Sequence, residues 1–304
     1  MYRKFFMILA SFSLLLSACS FTNIIDTALE FIPQVEESLP EIIEELHEFE
    51  DLIPLEEDPA DEGQEPAEVQ PTEQEMDESL TNSEEAALDI TVTEKTIMLE
   101  FDDPPHEIEI RYPYMEGDPE AISPFNFEMD YLVEVVLEVF VSEVEESDAQ
   151  RPDDAMPATS FLQIDYEMTY QSDGLYSVYL PITTYIAISA NPWMDSFSYN
   201  YDAINQEFLM PGNLFLSDAA YFPVVLEMIA ADLVARDLGY QEGVVEEVLL
   251  RRDNWNILPE GLRINFDAYE VGVGAAGPQF VFIPWADLSD ILDLDGPAGR
   301  ILSD

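Results

Sequence analysis

Two long alternating runs face each other across a short turn: Phe161-Leu-Gln-Ile-Asp-Tyr-Glu-Met-Thr-Tyr170, then Ser172-Asp173-Gly174, then Leu175-Tyr-Ser-Val-Tyr-Leu-Pro-Ile-Thr-Thr-Tyr-Ile-Ala-Ile-Ser189. A period of two, rich in aromatic and β-branched residues, marks half-buried strands. Asp-Gly between such runs supplies the positive φ angles that a tight hairpin needs. Outward from this hairpin, strands are expected at Phe197–Tyr201, Leu262–Phe266 and Gln279–Ile283, with an Asn191-Pro192-Trp193 loop before the first. Helices are expected at residues 219–238, closed by Gly239, at 241–251, and briefly from Trp285. Upstream, Ile90-Thr-Val-Thr, Ile97–Phe101 and the stretch from His106 to a stop at Pro113 alternate as strands. A helix follows, with Phe125, Met129, Leu132, Val133, Val136, Phe140 and Val144 on one face. Ser147–Thr159 reads as a linker. Strands in hairpins and helices in blocks indicate an α+β fold, its antiparallel sheets carrying helices on one face.

The amino-terminal third is of another kind. Met1-Tyr2-Arg3-Lys4 leads into an apolar run ending Leu16-Ser17-Ala18-Cys19. A basic tip, a short apolar core and a small-residue exit mark an export signal over residues 1–18. Cys19 is the single cysteine of the chain. It stands where lipoprotein processing attaches an anchor, so the expectation is a protein held by lipid on the outer face of a membrane. Acylation of Cys19 leaves no thiol for a disulfide or a thiolate metal site. Residues 19–53 carry Leu39, Ile42, Ile43, Leu46, Phe49 and Ile53 at helical spacing and are expected to form an acidic juxtamembrane helix. Residues 54–87 are dense in acid and proline and poor in large apolar side chains. Such a stretch cannot bury enough surface to offset its ordering entropy and is expected to be a disordered tether. Two folded parts should follow, a small α+β module at 88–150 and a larger one at 158–304.

The net charge is −55, and removal of Arg3 and Lys4 with the leader takes it to −57. That balance repels nucleic acid and attracts cations and basic proteins. Solubility in a demanding medium explains the same charge without any partner.

Few catalytic constellations fit. The two histidines, His47 and His106, have no second histidine at ligand spacing. No Gly-x-Ser-x-Gly elbow, Ser-x-x-Lys pair or Gly-rich phosphate loop occurs. Placing Gly296 of Asp293-Leu-Asp295-Gly296 at the sixth position of a calcium loop puts Ile291 and Leu302 where carboxylates belong, so that loop fails. No cofactor or metal is expected, and a binding module is favoured over an enzyme. A structural envelope lipoprotein without a specific ligand, or a wall-active enzyme using two of the many carboxylates, are the alternatives.

Two segments carry a resemblance. One is Tyr199-Asn-Tyr-Asp202 with the turn after it and Leu209–Phe215. The other is Leu262–Phe266, Asp-Ala-Tyr269-Glu270, Ala275-Ala276-Gly277-Pro278 and Ile283-Pro284-Trp285. Together they resemble the extracytoplasmic domain of unknown function shared by the anti-sigma factor RsiV and the non-catalytic part of the peptidoglycan deacetylase PdaC. The Tyr112-Pro113, Gly117 and Asn126 stretch resembles the smaller module that precedes it there. The resemblance implies a binding or sensing role in the cell envelope, with a cationic protein such as lysozyme as partner. This chain departs from the pattern at Ala268, at Val273-Gly274 and in the Ser189–Pro192 turn. The candidate contact residues are Asn191, Trp193, Tyr269, Glu270, Pro278 and Trp285, on loops at 189–194 and 268–278 and at the head of the last short helix.

Overall fold

The computed structural model describes residues 89–152, 158–239, 242–272 and 277–303. The leader with Cys19, the acidic helix expected at 19–53 and the tether expected at 54–87 lie outside the described residues.

Strands β1 (Thr91–Asp102) and β2 (Pro105–Glu116) form an antiparallel hairpin in unbroken register. The two short runs read at Ile90 and Ile97 are thus one strand, and β2 continues through Pro113. Proline is tolerated there because β3 (Ser160–Ile164) flanks β2 only from His106 to Ile110, so no second strand requires the missing N–H.

Helix α1 (Pro119–Gln150) carries the chain back from β2 to β3, and this crossover makes β2–β3 a parallel pair in an otherwise antiparallel sheet. Asp118 caps its first turn by accepting from Glu120 N at 3.1 Å. All seven apolar residues expected on one face are buried, joined by Ala121, Asn126 and Ser147. Removing one such large side chain from water contributes about 1.5–3 kcal/mol. The helix runs to Gln150, into the stretch expected as linker.

Next come β4 (Glu167–Ser172), β5 (Leu175–Tyr185), β6 (Trp193–Asp202) and β7 (Glu207–Phe208). The hairpin at Asp173-Gly174 forms as expected, with φ of 47° and 71°. The run Phe161–Tyr170 is not one strand. It breaks after Ile164 into β3 and β4, both paired to β5. The break is held by Arg111, which donates to Asp165 Oδ2 at 2.9 Å, while Tyr166 N donates to Asp165 Oδ1. The seven-stranded sheet is ordered β1-β2-β3-β5-β6-β7, with β4 beside β5.

Helices α2 (Tyr221–Ala235) and α3 (Glu242–Leu250) lead to a second sheet of β8 (Trp255–Leu258), β9 (Gly261–Phe266) and β10 (Gln279–Pro284). Helix α2 ends at Ala235 and is closed by Asp237 rather than Gly239. Asp237 takes the left-handed φ of 57°, its N–H donates to Val234 O, and Leu238 N donates to Leu233 O. That is the bonding pattern of a Schellman terminus with aspartate in the usual glycine position. Pro284 ends β10 and admits α4 (Trp285–Leu288), and α5 (Pro297–Ser303) closes the chain.

The two sheets meet through polar groups. Asn200 Nδ2 of β6 donates to Trp255 O at 2.8 Å, and Asn256 Nδ2 of β8 donates to Val178 O at 2.9 Å. Ser177 Oγ donates to Asn200 Oδ1 and accepts from Ile257 N. Asn265 Nδ2 bridges Ser198 Oγ and Asn256 Oδ1. These side chains are fully buried, so each bond offsets a desolvation cost that an apolar pair would not carry. The network sets how β8 and β9 lie on β5 and β6. It thereby places the end of β9 beside the start of β6.

Candidate functional site

At that junction the indole of Trp193 and the ring of Tyr269 stack, with centroids 5.5 Å apart and planes 17° apart. Trp193 opens β6 instead of lying in a loop, and its Nε1 donates to Asp195 Oδ2 at 3.0 Å. Tyr269 sits in a turn just past β9 with a φ of 76°, and 61% of its surface is exposed.

Glu270 builds the turn. Its Oε2 accepts from Asp267 N at 2.7 Å, and its own N–H donates to Asp267 O at 3.2 Å. Its Oε1 accepts from Arg251 at 3.0 Å, and Arg251 Nε lies 3.8 Å from Asp253 Oδ1. The buried Asp267 carboxylate accepts from Ser196 Oγ at 2.7 Å. Burial first, then the charges of Asp195 and Glu270, push the Asp267 carboxyl up to about 8, against the pull of Ser196 and Arg251. Arg251 thus pairs with Glu270 and lies near Asp253, while Asp195 and Asp267 are tied to Trp193 and Ser196 at the same junction.

Of the residues singled out from sequence, Trp193, Tyr269 and Glu270 come together here. Asn191 is exposed two residues before Trp193, and Pro278 is half-buried just before β10. Trp285 is elsewhere in kind: it is buried, and its Nε1 donates to Leu258 O at 3.1 Å, which ties α4 to β8. Asp195, Asp267 and Arg251 were missed. Asp195 and Asp267 flank apolar strand patterns and read equally well as their polar boundaries, and Arg251 reads as the polar end of helix α3.

Residues 212–286 match the model of the family DUF3298. The family is described as one of unknown function. The DUF3298 span runs from the turn before α2 to the head of α4. It supplies Arg251, Asp267, Tyr269 and Glu270, while Trp193 and Asp195 come from β6 outside it. A crystal structure of a DUF3298 family member from Bacteroides fragilis matches with a TM-score of 0.53 at 14% identity, covering 72% of this chain and 98% of that one. A DUF3298 family protein from Pseudomonas aeruginosa matches with a TM-score of 0.42 at 14% identity, covering 68% and 94%. No curated protein matches the chain.

Proposed function

We propose that this protein is a lipoprotein anchored through Cys19 on the outer face of a membrane, where its DUF3298-bearing domain binds a cationic partner and performs no catalysis. The observation that carries the reading is the Trp193–Tyr269 stack beside the Asp195 and Glu270 carboxylates on a strongly acidic chain. Exposed aromatic rings held rigidly supply contact area at low entropic cost, which is why tryptophan and tyrosine dominate interface hot spots. The surrounding negative charge steers a basic protein toward them and raises its association rate. The resemblance to the RsiV ectodomain makes lysozyme the natural probe.

The test uses the full chain in detergent micelles and immobilised lysozyme. Trp193→Ala and Tyr269→Ala should each weaken binding about tenfold or more, a loss of ~1.4 kcal/mol. Binding of the unaltered chain should persist at ~0.15 M salt, where the screening length is about 8 Å. Equal affinity for both variants and the unaltered chain would reject the aromatic face. Anchoring is tested separately, since Cys19→Ser should release the chain from the membrane fraction.

A further inference from the structure

Strand β1 is an end strand of the seven-stranded sheet, paired on one side with β2. Folded proteins usually blunt such an edge with a proline, a bulge, an outward lysine or a covering side chain. The other terminal strands show these devices. β7 is two residues long. Along β10, Arg236 donates to Phe280 O and to Gln279 Oε1, each at 2.7 Å. On β8, Ser177 and Asn200 side chains bond Ile257 N and Trp255 O. Among the described residues, β1 shows none of them. It is twelve residues long without proline, and its register with β2 is unbroken from Thr91 to Asp102. Its single lysine is turned onto the molecule: Lys95 Nζ lies 2.9 Å from Asp130 Oδ1 and 3.8 Å from the centroid of the Tyr114 ring. Met98, Leu99 and Phe101 stand 66%, 45% and 44% exposed along it.

We infer that the open edge of β1 docks an extended basic segment of a partner protein, which adds to the sheet as a further antiparallel or parallel strand. Alternation along β1 specifies the partner. Glu94, Glu100 and Asp102 point to one face of the sheet, and Ile97, Leu99 and Phe101 point to the other. An added strand places its side chains on the same two faces, so the complementary sequence alternates basic and apolar residues. Phe101 is already fixed for such contact, its ring stacked on His106 at 4.3 Å. A second copy of this chain is the wrong occupant. It would bring Glu94 and Glu100 against their own kind, with a net charge of −55 on each partner. The inference stands on β1 alone and does not depend on the Trp193–Tyr269 face.

The experiment measures binding of the full chain to an eight-residue peptide of alternating lysine and valine. Two controls keep its charge: four lysines followed by four valines, and the alternating peptide N-methylated at every second residue. The alternating peptide should bind about tenfold tighter than either control, since the controls lose the face pattern or several backbone bonds. Leu99→Lys should remove that advantage, Trp193→Ala should leave it intact, and amide exchange should slow across residues 91–102 when the peptide binds. Equal affinity for all three peptides would mean that charge alone attracts them and would overturn the inference. So would unchanged exchange in β1, or a chain that dimerises on its own and is made monomeric by Leu99→Lys.

Discussion

Asn126 of α1 meets the backbone of Met115 in β2 with both ends of its amide: Met115 N donates to Oδ1 at 2.8 Å, and Nδ2 donates to Met115 O at 2.9 Å. The pair is buried and lies beyond Ile110, where β3 has ceased to flank β2. The side chain therefore does what another strand would do there. Asn126→Leu should strand a buried N–H and a buried C=O together. The expected loss is about 2–6 kcal/mol, because each of the two unsatisfied groups costs ~1–3. Urea unfolding of the two chains checks it, and a loss below ~1 kcal/mol would show that the backbone finds other partners.

Tyr269 separates folding from surface function. Its left-handed φ of 76° is a conformation that costs a residue with a side chain about 1 kcal/mol or more, while stacking on Trp193 returns ~0.5–1.5. Tyr269→Gly removes both terms and should leave stability within about 1 kcal/mol. Tyr269→Val keeps the strain and loses the stack, and should cost about 2 kcal/mol. Denaturant midpoints distinguish the two, and a strongly destabilised glycine variant would make the ring structural.

Stability should fall with rising pH on account of Asp267. Its carboxyl is raised from 3.8 to about 8 by burial and by Asp195 and Glu270, so the folded chain binds its proton more tightly than the unfolded chain. Between those values the folded state carries the extra proton, and stability declines as pH climbs from about 4 to about 8. Asp267→Asn mimics the protonated form. It should flatten that slope and make the variant the more stable chain at pH 8.5. General repulsion among the other acids slopes the same way, so the readout is the difference between the two chains at pH 5 and at pH 8.5. An identical slope in both would refute the assignment.

The carboxyl-terminal helix is pinned at two adjacent residues. Arg300 bonds both oxygens of Asp202, a side chain with no exposure, and Asp202 also accepts from Ile204 N, Asn205 N and Asn205 Nδ2. At Gly299 a Cβ would come within 1.9 Å of Leu294 O. Arg300→Leu leaves a buried carboxylate with neutral donors alone, and about 3–5 kcal/mol should be lost. Gly299→Ala must shift backbone, and a loss of ~2 kcal/mol or more is expected. Thermal unfolding of each variant, with Asp202→Asn/Arg300→Leu as the charge-free control, measures both effects.

Local signals carried much of the fold. The apolar stripe from Phe125 to Val144 named the buried face of α1 residue for residue, because helical geometry alone puts those positions on one side. Asp173-Gly174 announced its hairpin through φ angles that few other pairs accept, and Pro284 marked the end of β10 through its missing N–H. β8 was not legible. Trp255–Leu258 is four residues long and follows Arg251-Arg252-Asp253-Asn254, too short a run for its alternation to stand out, and its Asn256 reads as solvent-facing although it is fully buried. Asn256 suits that place because Val178 O, Ser198 and Asn265 surround it, and the first two come from strands far along the chain. The same holds for the site. An aromatic at Trp193 and another at Tyr269 were visible as candidates, whereas Asp195 and Asp267 looked like ordinary strand ends.

The sequence by itself determined the charge, the α+β pattern of periods, the turns that require particular φ angles, and the aromatic residues open to contact. Each of these follows from neighbours within a few positions, whose geometry the backbone dictates. Only the tertiary structure decided that Trp193 lies flat on Tyr269, that Glu270 and Asp253 share Arg251, and that no described residue pairs with the outer edge of β1. Those facts depend on how one sheet is hydrogen-bonded onto another through Ser177, Asn200 and Asn256. Such long-range pairing leaves no trace in local periodicity, since a buried asparagine and a solvated one are written with the same letter.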